Sequence, residues 1–141
     1  MSTEQTTKAS GSCLCGKVVY AVNGPLSDVI YCHCAQCRKT SGHYFAATSC
    51  KREHLNITVD EGLRWFQSSP EAQRGFCNRC GSSVFWSHKD APTITIASGS
   101  LDLPTGLKAA VHIFVADASD YYTIDDGLPQ HADYGTIHAA E

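Results

Sequence analysis

Seven of the eight cysteines in this 141-residue chain fall into three short groups. They are C-x-C in "GSCLCG" (Cys13, Cys15), C-x-C-x-x-C in "YCHCAQCRKT" (Cys32, Cys34, Cys37) and C-x-x-C in "FCNRCGSS" (Cys77, Cys80). Sulfurs this close along the chain are awkward to bridge internally, but they suit a single ion gripped by several thiolates. The opening "MSTEQTTKAS" lacks the apolar stretch of a secretory signal, so a cytoplasmic, reducing setting is expected. There, clustered cysteines point to zinc rather than to disulfides.

Zinc is not needed here to replace a missing core, because a chain of this length can bury about two-thirds of its unfolded surface. The net charge of −3 argues against a nucleic-acid partner. No apolar run approaches a membrane span, so no membrane partner is expected either.

Between the cysteine groups, period-two runs rich in β-branched and aromatic residues predict strands over 17–22, 28–32, 43–49, 55–59, 63–68, 83–88, 93–98 and 110–116. Breaks such as "NGP", "DEG", "SSP", "DAP" and "LDLPTG" separate them. Short helical turns are expected near 35–41 and 51–55, and nothing longer. The reading is a flexible tail over 1–10 and one all-β zinc domain over 11–135.

In an extended segment, residues i and i+2 share a face, so each C-x-C can aim both sulfurs at one ion. By that argument Leu14 turns toward the core and His33 turns away from the sulfurs beside it. The C-x-x-C of Cys77 and Cys80 suggests a tight knuckle closed by a left-handed Gly81. Cys13, Cys15, Cys77 and Cys80 can complete a tetrahedral structural site, leaving Cys32, Cys34 and Cys37 as a triad. Spacing alone admits other divisions of the seven. A closed alternative uses Cys50 as the fourth leg of the triad, whereas an isolated cysteine beside a strand is more often a small buried hydrophobe. An open three-thiolate zinc favours a soft anionic fourth ligand such as a substrate thiol. No H-E-x-x-H, G-x-S-x-G or Gly-rich phosphate loop suggests other enzymology.

The stretches "GSCLCGKVVY", "CHCAQCRKTSG", "FCNRCGSSVFW", "GSLD" and "HIFVAD…IDDGLPQ" together resemble the glutathione-dependent formaldehyde-activating enzyme family, which includes centromere protein V. The resemblance implies a β-tent fold of short antiparallel strands. It implies a structural zinc on Cys13, Cys15, Cys77 and Cys80, and a second, active-site zinc on Cys32, Cys34 and Cys37. It also implies carbon–sulfur lyase chemistry on a glutathione adduct of the S-hydroxymethylglutathione type, with glutathione or a similar thiol and an aldehyde as partners. Where many relatives carry a late tryptophan, this chain reads "SDYYTI", with Tyr121 and Tyr122 in that neighbourhood.

Arg38 and Lys39 follow the triad and can meet carboxylates of a glutathione-like ligand, or can simply soften the charge of the thiolates. His112, in the apolar "AVHIFVA", reads as a satisfied buried histidine, with a role near the metal as the sharper alternative; His43 is comparable. Phe45, Trp65, Phe85 and Trp86 read as core, and Asp125 and Asp126 as turn residues. The leading expectation is a zinc-dependent carbon–sulfur lyase. The rivals are a non-catalytic zinc module and a glutathione carrier.

Overall fold

Short runs of Val, Ile, Tyr and Phe separated by Gly, Pro and Asp cannot sustain long helices, and strands dominate the structure. The structure, a computed structural model, describes residues 8–134. Ten strands are present among them: β1 Lys8–Ser12, β2 Val19–Asn23, β3 Val29–Cys32, β4 Phe45–Lys51, β5 Leu55–Val59, β6 Leu63–Gln67, β7 Ala72–Cys77, β8 Ser83–His88, β9 Thr93–Ala97 and β10 Ala109–Ile113. The single α-helix, α1, is Ala35–Ser41, and a 3₁₀ turn covers Arg52–His54. The all-β class expected from the sequence is therefore observed, and no described helix is long and apolar enough to cross a membrane.

Contacts divide the chain into two compact units. One is built from residues up to Ser27 and from Thr48–Gly106, the other from Asp28–Ala47 and from Leu107 onward. In the first unit β1, β2 and β5 form an antiparallel sheet, with Gly11 opposite Tyr20 and Tyr20 opposite Ile57. In the same unit β9, β8, β7 and β6 run antiparallel in that order. Its core is fully enclosed at Val18, Tyr20, Val22, Val84, Phe85 and Ile96. Tyr20 meets Phe85 edge-on at 5.3 Å between ring centres, and its hydroxyl is satisfied by Ser100 Oγ at 2.6 Å.

In the second unit β3 is central, antiparallel to β4 and parallel to β10. Val29, Phe45, Val111 and Ile113 supply its apolar interior. After β10, Phe114 takes a left-handed conformation (φ 56°) and the chain doubles back. His112 then donates its backbone N–H to Pro129 O and its carbonyl accepts from His131 N, both on the edge of β10 away from β3.

Several expectations are corrected. β1 and β7 had no strand signal of their own: β1 reads "KASGS", and β7 carries Gln73, Arg74 and Gly75. A Cβ at Gly75 would come to 3.0 Å of the Trp65 ring, so a larger residue there needs that ring to give by a few tenths of an ångström. Of the tail expected over 1–10, residues 1–7 lie outside the described residues, as does 135 at the end of the expected domain, whereas Lys8, Ala9 and Ser10 open β1. Leu14 is 87% exposed rather than core-facing, because residues 13–15 form a turn and not a strand. Trp65 lies on the rim of the core, 37% exposed, with its ring over Phe85.

Phe85 is enclosed between Tyr20 and Trp65. Phe85→Ala is expected to destabilise the metal-loaded protein by about 3–5 kcal/mol, measured as the change in unfolding free energy by denaturant titration.

Candidate metal centres

In the first unit the sulfurs of Cys13, Cys15, Cys77 and Cys80 all lie within 4.8 Å of one another. Two turns deliver them. The first is closed by Cys13 N donating to Val18 O at 3.0 Å, with Gly16 left-handed at φ 84°. The second is the knuckle after β7, where Gly81 N donates to Cys77 O at 2.8 Å and Gly81 sits at φ 81°, as the sequence suggested. Backbone amides point at the sulfurs: Val18 N lies 3.2 Å from Cys13 Sγ, and Arg79 N lies 3.4 Å from Cys77 Sγ.

This environment splits the thiols. The Ser82 hydroxyl and its N–H hold Cys80 down at about 5. Although burial opposes it, the Val18 amide and neighbouring thiols also draw Cys13 down. Cys15, despite the Lys17 amide, is pushed up to about 11 by desolvation and by Cys77, Cys80 and Cys13. Charge on some sulfurs thus disfavours charge on another, the behaviour of a donor set arranged around a cation.

In the second unit Cys32, Cys34 and Cys37 also place all three sulfurs within 4.8 Å. Cys32 ends β3 opposite Phe45 and Ile113. Cys34 is the N-cap of α1, its sulfur accepting from Cys37 N at 3.4 Å, and Gly42 (φ 85°) closes the helix. Hydrogen bonding to Cys34 and Cys37, followed by burial, raises the Cys32 thiol far above its ordinary range. Three thiols cannot all ionise at this spacing unless a cation lies among them. All the donors in both clusters are soft sulfur, which suits zinc. The first cluster would hold one ion with four thiolates and the second would hold one with three.

Cys50 joins neither cluster. It is 3% exposed in β4, and burial pushes its thiol up to about 11, the mark of a small inert hydrophobe.

His33 is fully buried and turned to a different set of groups. Its Nδ1 is hydrogen-bonded with the Tyr122 hydroxyl, and its Nε2 with His112 Nδ1 at 2.8 Å. His112, equally buried, pairs through Nε2 with Asp126 Oδ2 at 2.8 Å. Burial, reinforced by His112 and His43, lowers His33 to about 4, so its imidazole is neutral. The His112 hydrogen bond and the Leu128 amide keep the Asp126 carboxyl below its usual range. Asp126 is therefore a turn residue, as expected, and also the partner of His112. Tyr44 packs on His33 (4.6 Å between ring centres) and Tyr31 on His112 (5.0 Å). His43 Nδ1 meets Tyr121 Oη at 2.5 Å. Arg38 donates from Nε to Asp117 O at 3.0 Å, tying α1 to the segment that leads to Tyr121 and Tyr122, whereas Lys39 is exposed. The Tyr122–His33–His112–Asp126 chain carries no local motif. Its only trace in the sequence is a histidine between two ligand-type cysteines and a second one in an apolar strand.

Cys50→Ala is expected to retain the wild-type metal content, whereas Cys37→Ser is expected to lose the metal of the second cluster; elemental analysis of the purified proteins checks both.

A solved Rhodobacter sphaeroides protein is similar in fold, with a TM-score of 0.56 and 24% identity over 69% of this chain and 91% of that one. A curated relative, "Uncharacterized lyase C29B12.13" of Schizosaccharomyces pombe, is 28% identical over 78 residues. That alignment covers 55% of this chain, which spans just over half (56%) of the relative's length. The profile of the "Glutathione-dependent formaldehyde-activating enzyme" family matches residues 8–117, a span that holds all seven clustered cysteines. The chain belongs to the glutathione-dependent formaldehyde-activating enzyme family.

Proposed function

We propose that the protein is a zinc-dependent carbon–sulfur lyase acting on a thiol adduct, such as the S-hydroxymethyl adduct of glutathione. The observation that carries this reading is the three-thiol cluster in the second unit, which Cys50 does not complete. Family membership and the lyase name of the yeast relative point the same way. Cys13, Cys15, Cys77 and Cys80 would hold a structural zinc, and Cys32, Cys34 and Cys37 the zinc at the site of reaction.

When bound there, zinc stabilises a substrate sulfur as thiolate, the form in which it leaves carbon or attacks an aldehyde. The chain's own groups do the rest. Cys37 in α1 and Cys32 at the end of β3 are set on regular elements, so the cluster is held rigidly. Arg38 and Lys39 lie on α1 beside the cluster and supply positive charge for the carboxylates of a glutathione-like thiol. Arg38 is anchored through Nε to Asp117 O, and its Nη atoms would meet those carboxylates.

Cobalt in place of zinc reports thiolate coordination by its absorption. Titration with millimolar glutathione is expected to give a saturable new thiolate-to-cobalt band in the wild type and none in Cys37→Ser. No spectral change in the wild type would count against the reading. Zinc-loaded protein is also expected to release formaldehyde from S-hydroxymethylglutathione faster than the metal-free protein.

A further inference from the structure

The eight cysteines differ in how far solvent reaches them. Cys13, Cys37, Cys50 and Cys77 are buried, and Cys32, Cys34 and Cys80 are half-buried. Cys15 alone of the eight is exposed. The cause is local, because the turn that carries it bulges outward and leaves Leu14, Cys15 and Gly16 all exposed. A Cβ added to left-handed Gly16 would meet nothing within 4 Å, and the same holds at Gly81 in the second turn of the cluster. Both turns therefore face open space at their glycines.

The sulfur of Cys15 has two close neighbours, Cys13 Sγ at 3.8 Å and Cys77 Sγ at 3.7 Å. Cys13 lies two residues back in the same turn, a spacing awkward to bridge. Cys77 ends β7 and reaches the cluster from the other turn. The two turns are already joined by Leu14 N, which donates to Ser82 Oγ at 3.1 Å. A link between Cys15 and Cys77 needs only a short closing movement, to the about 2.05 Å of a disulfide.

We propose that Cys15 is a peroxide-sensitive trigger within the first unit: oxidised, it bonds to Cys77, and the four-thiol cluster releases its ion. This rests on that cluster holding zinc, and not on the lyase reading. A thiol that coordinates zinc is deprotonated, so each sulfur of the cluster is already a nucleophile. Exposure then decides which of them a dissolved peroxide meets first. The Cys15 thiolate attacks one oxygen of hydrogen peroxide and the O–O bond breaks. That oxygen stays on sulfur as a sulfenic acid, and the other leaves as hydroxide. The Cys77 thiolate next attacks the Cys15 sulfur, so the S–S bond forms, the S–O bond breaks and a second hydroxide leaves. The two sulfurs together give up two electrons, and the peroxide takes them. Cys13 and Cys80 remain, two thiolates where a structural zinc needs four ligands. Two molecules of a small thiol reverse the change by exchange, leaving as their own disulfide. The zinc content of the first unit thus follows the balance of peroxide and thiol around it.

The test uses the full chain loaded with zinc, its metal content measured beforehand, treated with a small excess of hydrogen peroxide beside a zinc-sensitive dye. One zinc per chain is expected to be released ahead of the other, with a Cys15–Cys77 disulfide in the peptide map. Dithiothreitol followed by zinc is expected to restore the starting state. Cys15→His offers a zinc ligand that has no sulfur to oxidise. It is expected to load the same zinc and to lose the fast release; fast release kept in this variant overturns the proposal. Peptide mapping of the wild type decides independently of whether the variant loads. Oxidation of Cys32, Cys34 or Cys37 ahead of Cys15, or a first disulfide other than Cys15–Cys77, overturns it too. Zinc present and retained under peroxide sinks this inference alone. A chain that carries no zinc before peroxide is added sinks the zinc reading, and this inference with it.

Discussion

Four thiols in one unit and three in the other are each held with all their sulfurs within 4.8 Å, a spacing that ionised sulfur tolerates only around a cation. The local backbone serves that constraint. Left-handed Gly16 and Gly81 close the two turns of the first cluster. The second cluster draws on a strand end, a helix cap and a helical first turn. Because thiolate charges repel where no metal balances them, metal binding and folding of these segments are thermodynamically coupled.

The two clusters differ in what their number of donors allows. Four thiolates satisfy a tetrahedral ion, and such a site contributes stability without leaving a position for substrate. Three thiolates leave one position. Cys50, the obvious candidate to fill it, is instead a buried thiol with no cluster to join. In the unit that holds the three-thiol cluster the chain places polar groups that an inert core would not need. Buried His33 and His112 are satisfied through each other, Tyr122 and Asp126. Such a fully connected network is tolerated inside a protein because every member has a partner.

Much of this was legible in the residues. Spacing alone left the division of the seven cysteines open, and their grouping in the structure, four and three, is the one that the family resemblance implied. The strong β-branched runs at β2, β5, β8 and β9 mark themselves. β1 and β7 do not, because small and polar residues there are held as strands by their neighbours' hydrogen bonds rather than by propensity. Leu14 was misplaced because period-two reasoning assumes extended backbone, and the C-x-C is bent into a turn. The histidine chain was invisible for a different reason. Its members are separated by 89, 79 and 14 positions, and only the return of the chain after β10 brings them together.

On the proposed reading, Cys32, Cys34 and Cys37 would hold an ion whose fourth ligand the protein does not supply. X-ray absorption at the zinc edge of the fully loaded protein, with and without glutathione, counts sulfur neighbours directly. Added glutathione is expected to raise the average by about half a sulfur per zinc, at a distance of about 2.3 Å, because one of two sites is already complete. An average of four sulfurs per zinc before any thiol is added would contradict it, since the second site would then be closed by the protein.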